Sequence, residues 1–253
     1  MAISITKGRE VKRQIYLNNL PLNEALRLWE DKLSENGLFK PISGEEIPVW
    51  SSHGRVTAEA VSALISSPFY HCAAMDGIAV RFMDTAGASE TSPKILKLGK
   101  QAVDVDTGDP IPDGFNAVIM IEDINKVSED EIEIIKPATP WQHVRIIGED
   151  IVATELILPE NHRIRPIDIG AMLAGGITKI FVRRRPKVVI IPTGTELIEP
   201  GTGLKKGSII EYNSSILGGM IEEWGGEAVR WAIVRDDYEL LKANILKALD
   251  AGD

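Results

Sequence analysis

Cysteine and histidine are scarce in this chain, and their scarcity excludes two common kinds of site. The 253 residues include one cysteine, Cys72, and four histidines. One cysteine cannot form an intramolecular disulfide and is typical of a reducing compartment, which predicts a cytoplasmic protein. The scattered histidines lack the spacing of zinc ligands. Because neighbouring strand residues point to opposite faces, we do not expect His71 and Cys72 to form a catalytic pair, and we predict that Cys72 is buried.

Excess positive charge and long apolar runs are also absent. The net charge of −9 disfavours a nucleic-acid binder, because such proteins need a basic surface. No apolar run is long enough to span a bilayer, and residues 1–14 lack the apolar stretch of a secretory signal. We therefore expect neither nucleic acid nor a membrane as a partner. The apolar fraction of 44% is that of an ordinary globular protein, and the length allows more than one core.

The motifs GxxxxGKS/T, GxGxxG and GxSxG, which mark common phosphate, dinucleotide and serine-nucleophile sites, are missing. What the chain does have is acidic and hydroxyl side chains on turns rich in glycine and proline. Five such turns are present: Met75–Gly77, Asp106–Pro110, Gly148–Asp150, Thr193–Glu196 and Arg235–Asp237. These turns hold the candidate functional residues.

Hydrophobic periodicity predicts a mixed α and β chain up to residue 185. Apolar residues recur at helical spacing from Leu22 to Leu33, in a helix that ends at Asn36–Gly37. Residues 78–136 hold short β-rich segments between turns, as in a small barrel or sandwich. A second helix is predicted from Pro166 to Leu173, before Gly175–Gly176.

After Pro186 the pattern changes to alternating strands and helices. Lys187–Ile191 reads as a parallel strand buried on both faces, and Ala228–Val234 as a second strand. Helices are predicted near Ser215–Trp224 and over Tyr238–Leu249. Because two strands cannot bury both helices well, we expect this part to be an incomplete doubly wound α/β domain of a longer protein.

Asp76 precedes Gly77 in the segment HCAAMDGIAVR, at the start of a predicted strand. A carboxylate on a tight turn is presented to a cation or to a phosphate-bound metal. Gly77 is expected to adopt backbone angles closed to other residues and to leave room for a ligand. The alternative is a plain surface turn, since Asp-Gly is a common turn dipeptide.

Glu196 and Asp236 each follow a predicted parallel strand, at the sheet edge where such folds bind ligands. They are therefore expected to share a crevice and to bind a hard divalent cation such as Mg²⁺. In the alternative interpretation Thr193, Thr195 and Asp236 cap helices.

Two further segments also allow two interpretations. Thr107–Pro112 is either an ordinary turn or an anion site formed by backbone amides and the hydroxyl. Arg183–Arg185 is either a solvated strand end, which we favour, or a phosphate clamp.

Taken in order, five segments resemble the molybdopterin molybdenumtransferase family, which includes bacterial MoeA and the E domain of gephyrin. The segments are AMDGIAVR (residues 74–81), TGDPIPDGFNAVIM (107–120), GEDI (148–151), RRRPKVVIIPTGTEL (183–197) and VRDD (234–237). The resemblance implies an enzyme that uses Mg²⁺ to insert molybdenum from molybdate into adenylated molybdopterin, with release of AMP. It also implies a homodimer whose active site lies between the α/β domain of one subunit and the β-rich domain of the other. A molybdopterin adenylyltransferase is a further expected partner.

The resemblance carries the family's functional residues onto matching positions of this sequence. Glu196 and Asp236 would act near the pterin, the phosphate and the metal, with Thr193 and Gly194 beside them in cofactor binding. The remaining catalytic residues would come from the partner subunit: Asp76, Thr107 and Asp150. Of these positions, Glu196 and Asp236 are the expected metal ligands.

The fold class implied is α/β plus β-rich, in an elongated multidomain chain. A small β domain is inserted in an N-terminal α+β region, which is followed by a truncated doubly wound parallel α/β domain. The expected boundaries are an arm (1–15), a discontinuous elongated domain (16–75 and 141–185), an inserted β-rich domain (76–140) and a molybdopterin-binding-like domain (186–253).

The sequence departs from the family pattern at His71–Ala73, Ile78, Asp109, Ile146–Ile147 and Thr195. Asp109 adds an acid and Thr195 replaces one, which indicates altered anion affinity and a divergent paralogue. Later loops of the family's α/β domain are missing, so we expect the 253-residue chain to be inactive alone. Three hypotheses follow: part of an enzyme of molybdenum cofactor biosynthesis, a non-catalytic binding or regulatory paralogue, or an interaction scaffold like gephyrin.

Overall fold

The computed structural model describes residues 19–253, and the predicted arm over 1–15 lies outside them. The described residues fall into two compact units, one ending at Ile42 and the other spanning Ser43–Asp253. The first unit contains helix α1 (Leu22–Glu35), which begins after Pro21. At its end the backbone N–H of Asn36 donates to the Lys32 carbonyl, and the backbone N–H of Gly37 donates to the Ser34 carbonyl. The helix predicted from apolar spacing is therefore present.

The second unit contains short strands and three further α-helices, besides three short 3-10 turns. In chain order the strands are β1 (Gly44–Pro48), β2 (Val61–Ser62), β3 (Cys72–Ala73), β4 (Gly77–Val80), β5 (Lys94–Lys97), β6 (Ala102–Val105), β7 (Ala117–Met120), β8 (Ile124–Lys126), β9 (Glu131–Ile134), β10 (Val144–Arg145), β11 (Leu156–Leu158), β12 (Lys179–Arg183), β13 (Lys187–Ile190), β14 (Leu197–Ile198), β15 (Ile209–Ile210) and β16 (Glu227–Arg230). The helices are α2 (Pro166–Ala174), α3 (Asn213–Glu223) and α4 (Tyr238–Leu249).

Two three-stranded antiparallel sheets form the β-rich part, in the orders β6-β4-β7 and β5-β9-β8. One apolar cluster takes Ile78 and Val80 from β4, Leu96 from β5, and Ile132 and Ile134 from β9. The sheets share this core because alternate side chains of each strand point towards it. The other face of β4 is also buried, through Ala79 in a second cluster. Residues 78–136 thus contain the short antiparallel strands that were predicted for a small barrel or sandwich.

Three antiparallel pairs join segments far apart in the chain: β1 with β12, β2 with β11, and β3 with β10. A separate apolar cluster underlies part of this region and includes Val49, Ile164, Met172 and Val182. Helix α2 contributes Met172, so the C-terminal half of the helix packs against this core. The predicted start of α2 at Pro166 is correct, and Gly175 follows its last residue.

The α/β part contains a parallel pair, β13 with β16, as predicted from the strand–helix alternation. The expectation that β13 is buried on both faces was wrong for this chain: Lys187 is exposed and Val188 is 40% exposed. The reason is that only two strands form this sheet, so one edge of β13 and much of α3 and α4 remain exposed. Within residues 19–253, no helix has the length and apolar character needed to cross a membrane.

The second predicted strand, Ala228–Val234, is interrupted. Strand β16 ends at Arg230, and Val234 pairs again with Thr193 in an isolated parallel bridge. A second short parallel pair, β14 with β15, was not predicted. Both features lie in the connections that follow the β13–β16 ladder, so they shape the edge at which Glu196 and Asp236 sit.

Candidate functional site

Asp76 and Thr107 form a direct pair. The Thr107 hydroxyl and backbone N–H both donate to Oδ1 of Asp76, each over 2.7 Å. The hydroxyl bond and then the amide bond hold the pKa of the Asp76 carboxyl below its ordinary value. Asp76 is therefore an ionised, exposed carboxylate with a fixed orientation. The Thr107 donors proposed for an external anion are already used by this internal one.

The Thr107 loop is itself held by the segment that precedes Asp76. Gly108 donates its N–H to the Ala73 carbonyl, and the Ala73 N–H donates to the Asp109 carbonyl, each over 2.9 Å. The Asp109 carboxylate accepts from the backbone N–H of Asp106 over 2.9 Å. The acid that departs from the family pattern at this position thus closes its own turn.

Gly77 has a different role from the one expected. It lies in β4 without a positive φ, so no special backbone angle requires glycine. A Cβ at this position would instead lie 2.0 Å from the carbonyl oxygen of Ile119 in β7. The space beside Gly77 is filled by the neighbouring strand and not left open for a ligand. The glycine permits close strand packing directly after Asp76.

Asp150 lies on a turn next to Arg145. The Arg145 guanidinium donates to Oδ1 and Oδ2 of Asp150 over 2.8 and 2.6 Å, and also approaches Glu149 at 3.6 Å. Hydrogen bonding to Asp150, followed by charge attraction, raises the pKa of Arg145 above its ordinary value. Arg145 lies in β10 opposite Cys72 of β3. The chain thus has an arginine beside Asp150, one position before the isoleucines that depart from the family pattern.

Asp76, Thr107 and Asp150 are gathered around one segment, His71–Asp76, which we call the hub. The hub carries Asp76, bonds to the Thr107 loop through Ala73, and pairs with β10 through Cys72. His71 also accepts the backbone N–H of Ile147 at its Nδ1 over 3.1 Å. Sequence reasoning treated His71 as a departure from the family pattern, rejected it as a catalytic partner of Cys72, and missed this contact. Cys72 is 7% exposed, which confirms its predicted burial.

Glu196 and Asp236 lie on neighbouring connections after β13 and β16, and Thr195 joins those connections. The Thr195 N–H donates to Oδ2 of Asp236 over 3.2 Å, and the Asp236 N–H donates to the Thr195 hydroxyl over the same distance. The Glu196 carboxylate folds back over Gly194, where a Cβ would lie 3.0 Å from Oε1. Both carboxylates are on exposed residues.

The alternative interpretation, in which Thr193, Thr195 and Asp236 cap helices, does not hold for α4, which is capped by a different residue. Helix α4 is capped by Asp237, whose carboxylate accepts the N–H of Leu240 over 2.9 Å. Asp236, one residue earlier, bonds to Thr195 instead. The capping function is thus fulfilled by a neighbour, and Asp236 remains part of the edge of the sheet.

The arginine run before β13 is used in ion pairs. Arg183 pairs with Glu160, and Arg184 grips both carboxylate oxygens of Asp253. The Arg184 hydrogen bonds, followed by the Lys187 backbone N–H, lower the pKa of Asp253 to about 2. These contacts favour the strand-end interpretation over a phosphate clamp, since both guanidinium groups already have carboxylate partners.

Among the described residues no group of three or more histidine, cysteine, aspartate or glutamate side chains is arranged to hold a metal ion. Two exposed carboxylates are still compatible with Mg²⁺, which commonly takes one or two protein carboxylates and fills its other positions with water and substrate phosphates. Glu196 and Asp236 fit that limited role.

Comparison with known proteins gives a consistent result. The MoeA N-terminal region (domain I and II) matches residues 20–176. A putative molybdopterin biosynthesis protein of Methanocaldococcus jannaschii is 36% identical over 251 residues, which covers 93% of this chain and 62% of the relative. Molybdopterin molybdenumtransferase 2 of Mycobacterium tuberculosis is 32% identical over 206 residues, which covers 76% of this chain and 51% of the relative.

A solved structure agrees with these sequence matches. The crystal structure of a molybdopterin biosynthesis MoeA protein from Pyrococcus horikoshii superposes with a TM-score of 0.80 at 34% identity, covering 93% of this chain and 65% of that one. The chain thus has the α and β architecture of MoeA proteins, and spans between about half and two thirds of the length of the relatives named. The extent of the family match and these identities place the chain in the MoeA family.

Proposed function

We propose that this protein acts in molybdenum cofactor biosynthesis as a molybdopterin molybdenumtransferase. The observation that carries the proposal is the family match over residues 20–176, together with a relative of that name at 32% identity. The proposed substrates are adenylated molybdopterin and molybdate, and the products are molybdenum cofactor and AMP. The proposed location is the cytoplasm, in keeping with the single cysteine.

The edge of the β13–β16 sheet is proposed to receive the pterin and its phosphates, through Thr193, Gly194, Glu196 and Asp236. Mg²⁺ held by Glu196 and Asp236 would supply charge neutralisation at the phosphoanhydride. The mutual hydrogen bonds of Thr195 and Asp236 support this role, because they hold the Asp236 carboxylate in a defined orientation at the edge of the sheet. The Glu196 carboxylate lies beside the buried Gly194, which supports the proposed role of this second carboxylate.

Asp76, Thr107 and Asp150 are proposed to complete the active site of the partner subunit in a homodimer. Asp76 is ionised and oriented by Thr107, which suits a group that positions a water or an oxyanion substrate through fixed hydrogen bonds. Asp150 is oriented by Arg145. A molybdopterin adenylyltransferase that supplies the adenylated substrate is the proposed protein partner.

The proposed domain arrangement is an elongated chain in which the β-rich domain (76–140) is inserted into an α+β domain (16–75 and 141–185). A doubly wound α/β domain (186–253), truncated relative to its family, follows. The antiparallel pairs β2–β11 and β3–β10 support this arrangement, because each joins a strand before the insertion to one after it.

The test is an assay of AMP release by the protein expressed from its complete gene, supplied with adenylated molybdopterin, molybdate and Mg²⁺. We expect molybdate-dependent release that falls at least about a hundredfold in Glu196→Ala, since several kcal/mol of transition-state stabilisation depend on such a group. Glu222→Ala, which changes an exposed acid of α3, is the matched control and should retain activity. A folded protein that releases no AMP would refute the enzymatic proposal and favour a non-catalytic binding or regulatory paralogue.

A further inference from the structure

The His71 ring is held by two contacts of different kinds. Its Nδ1 accepts the backbone N–H of Ile147 over 3.1 Å, between residues 76 positions apart. Because an amide N–H only donates, the ring proton must lie on Nε2. The ring also packs against Trp141, with centroids 4.9 Å apart and planes tilted by 48°. Trp141 has a left-handed φ of 62°, and its backbone N–H donates to the backbone carbonyl of Asn116 over 2.7 Å.

Ile147 belongs to the turn that carries Asp150, and this turn is bonded to residues just before the hub. Gly148 donates its N–H to the Pro68 carbonyl over 2.9 Å, and Asp150 donates its N–H to the Ser67 carbonyl over 3.0 Å. Ile147 is 48% exposed and Asp150 is exposed, so packing in a core does not fix this turn. Its position depends on these hydrogen bonds, and His71 supplies the one that comes from a side chain of the hub.

The carboxylate of Asp150 is held from the same place. Arg145, which grips both of its oxygens, lies in β10 opposite Cys72, the residue after His71. His71 therefore fixes the backbone of the turn, while its neighbour in the chain fixes the strand that carries the arginine. The hub thus locates both the main chain and the side-chain partner of Asp150.

We infer that His71 is a positioning residue that sets the place of Asp150 in the active site by accepting the Ile147 N–H at Nδ1. The role of Asp150 in this statement rests on the proposed function, whereas the contact itself does not. The competing account is that His71 serves only as a flat ring against Trp141. The two accounts differ in what a replacement must preserve: an acceptor atom or an aromatic face.

Two variants of the 253-residue chain separate these accounts. His71→Asn keeps an acceptor near the position of Nδ1, and His71→Phe keeps a ring but no acceptor. We expect the Ile147 amide to exchange with solvent deuterium about three- to tenfold faster in His71→Phe, and near the wild-type rate in His71→Asn. The Val182 amide, in the core strand β12, reports whether each variant is folded. Faster exchange in the asparagine variant than in the phenylalanine variant would overturn the proposal.

The second measurement is kcat and KM for AMP release by the protein from its complete gene. A positioning role predicts that kcat falls in His71→Phe at an unchanged melting temperature and is restored in His71→Asn. Equal kcat in the two variants of an active protein would overturn the inference about His71 alone. Absence of AMP release in the wild type, with the expected exchange pattern, would overturn the proposed function and leave the Ile147 contact standing.

Discussion

At Gly77 the requirement for glycine comes from a neighbouring strand. The Asp-Gly dipeptide suggested a demand for unusual backbone angles, which is the commonest reason for glycine in a turn. The structure places the residue inside β4, with the carbonyl of Ile119 where a Cβ would be. Since Ile119 lies far along the chain, the local sequence contains no sign of this contact.

Gly77→Ala is expected to lower the free energy of unfolding by about 3 kcal/mol, because β4 and β7 must move apart to admit the methyl group. Urea unfolding of the 253-residue chain would measure this. Gly170→Ala is the matched control: Gly170 lies in α2, and no atom outside its own helix backbone and chain neighbours lies within 4 Å of the added carbon. This variant should gain about 0.5–1 kcal/mol. Equal destabilisation by both substitutions would contradict the close-packing explanation.

In the candidate site, the sequence identified the acids, whereas only the structure showed which groups bind them. The acids at positions 76, 150, 196 and 236 were identified from sequence because carboxylates on turns stand out from their surroundings. Thr107 and Thr195 were also singled out, but not as the hydrogen-bond donors to Asp76 and Asp236. Thr107 is 31 positions from Asp76, and Thr195 is 41 positions from Asp236. Pairing over such distances is a property of the folded chain.

Among the elements, α2 has the strongest electrostatic anchor. Asp168 at its start is 4% exposed and accepts hydrogen bonds from Arg165 and from Nε2 of His162, the latter over 2.7 Å. The Arg165 side chain is the main cause that holds the pKa of Asp168 far below its ordinary 3.8, against the opposing effect of burial. The first turn of α2 is thus fixed by an ionised buried carboxylate.

Asp168→Asn is expected to lower the free energy of unfolding at pH 7 by about 2–4 kcal/mol, because the amide cannot replace the carboxylate toward Arg165. The pKa is lower in the folded state, so the contribution is complete above pH 3.8 and is lost as the pH falls through the folded value. The wild-type and variant stabilities should therefore converge in acid.

The free energies of unfolding of wild type and Asp168→Asn can be compared by urea unfolding at several pH values, from pH 7 down to the lowest pH at which the wild type still folds. Asp113→Asn is the control for an exposed acid. A difference between wild type and Asp168→Asn that stays constant down to the lowest pH would show that the pKa of Asp168 is not the source of the stability.

The positions of secondary-structure elements could be predicted from sequence where local signals mark their ends. Helices α1, α2 and α4 begin and end close to the residues expected, because proline, glycine and the 3.6-residue apolar period act within a few positions. The pair β14–β15 was missed, since each strand has two residues and depends on pairing with the other. The burial of β13 was overestimated, because burial depends on how many strands form the sheet.

At the scale of the whole molecule, the candidate residues form two separate groups. Asp76, Thr107 and Asp150 surround the hub, while Glu196 and Asp236 lie after β13 and β16. Among residues 19–253, no hydrogen bond or ion pair links one group to the other. In the proposed homodimer, each active site would combine one group from each of two subunits.

A mixing experiment tests the composite site in the protein from its complete gene. Asp76→Asn and Glu196→Ala are each expected to be inactive, because each removes one group. Co-expressed in equal amounts, they should recover about a quarter of the wild-type AMP release, since half of the dimers are mixed and each has one intact site of two. Asp76→Asn mixed with Asp150→Asn is the control and should recover none. No recovery in the first mixture would place all five residues in sites within one subunit.

The sequence by itself determined the family, the helix boundaries and the identity of the candidate acids, because ordered motifs, capping residues and apolar periodicity are local or linear properties. Only the tertiary structure decided why Gly77 must be glycine, which donors orient the acids, and that His71 contacts the turn of Asp150. It also decided that Asp237 rather than Asp236 caps α4, and that β13 stays partly exposed. The Asp237 cap is a local contact with Leu240, but Asp236 is held by Thr195, 41 positions away. The other features likewise depend on contacts between segments distant in the chain, which pairing of strands and packing of cores bring together.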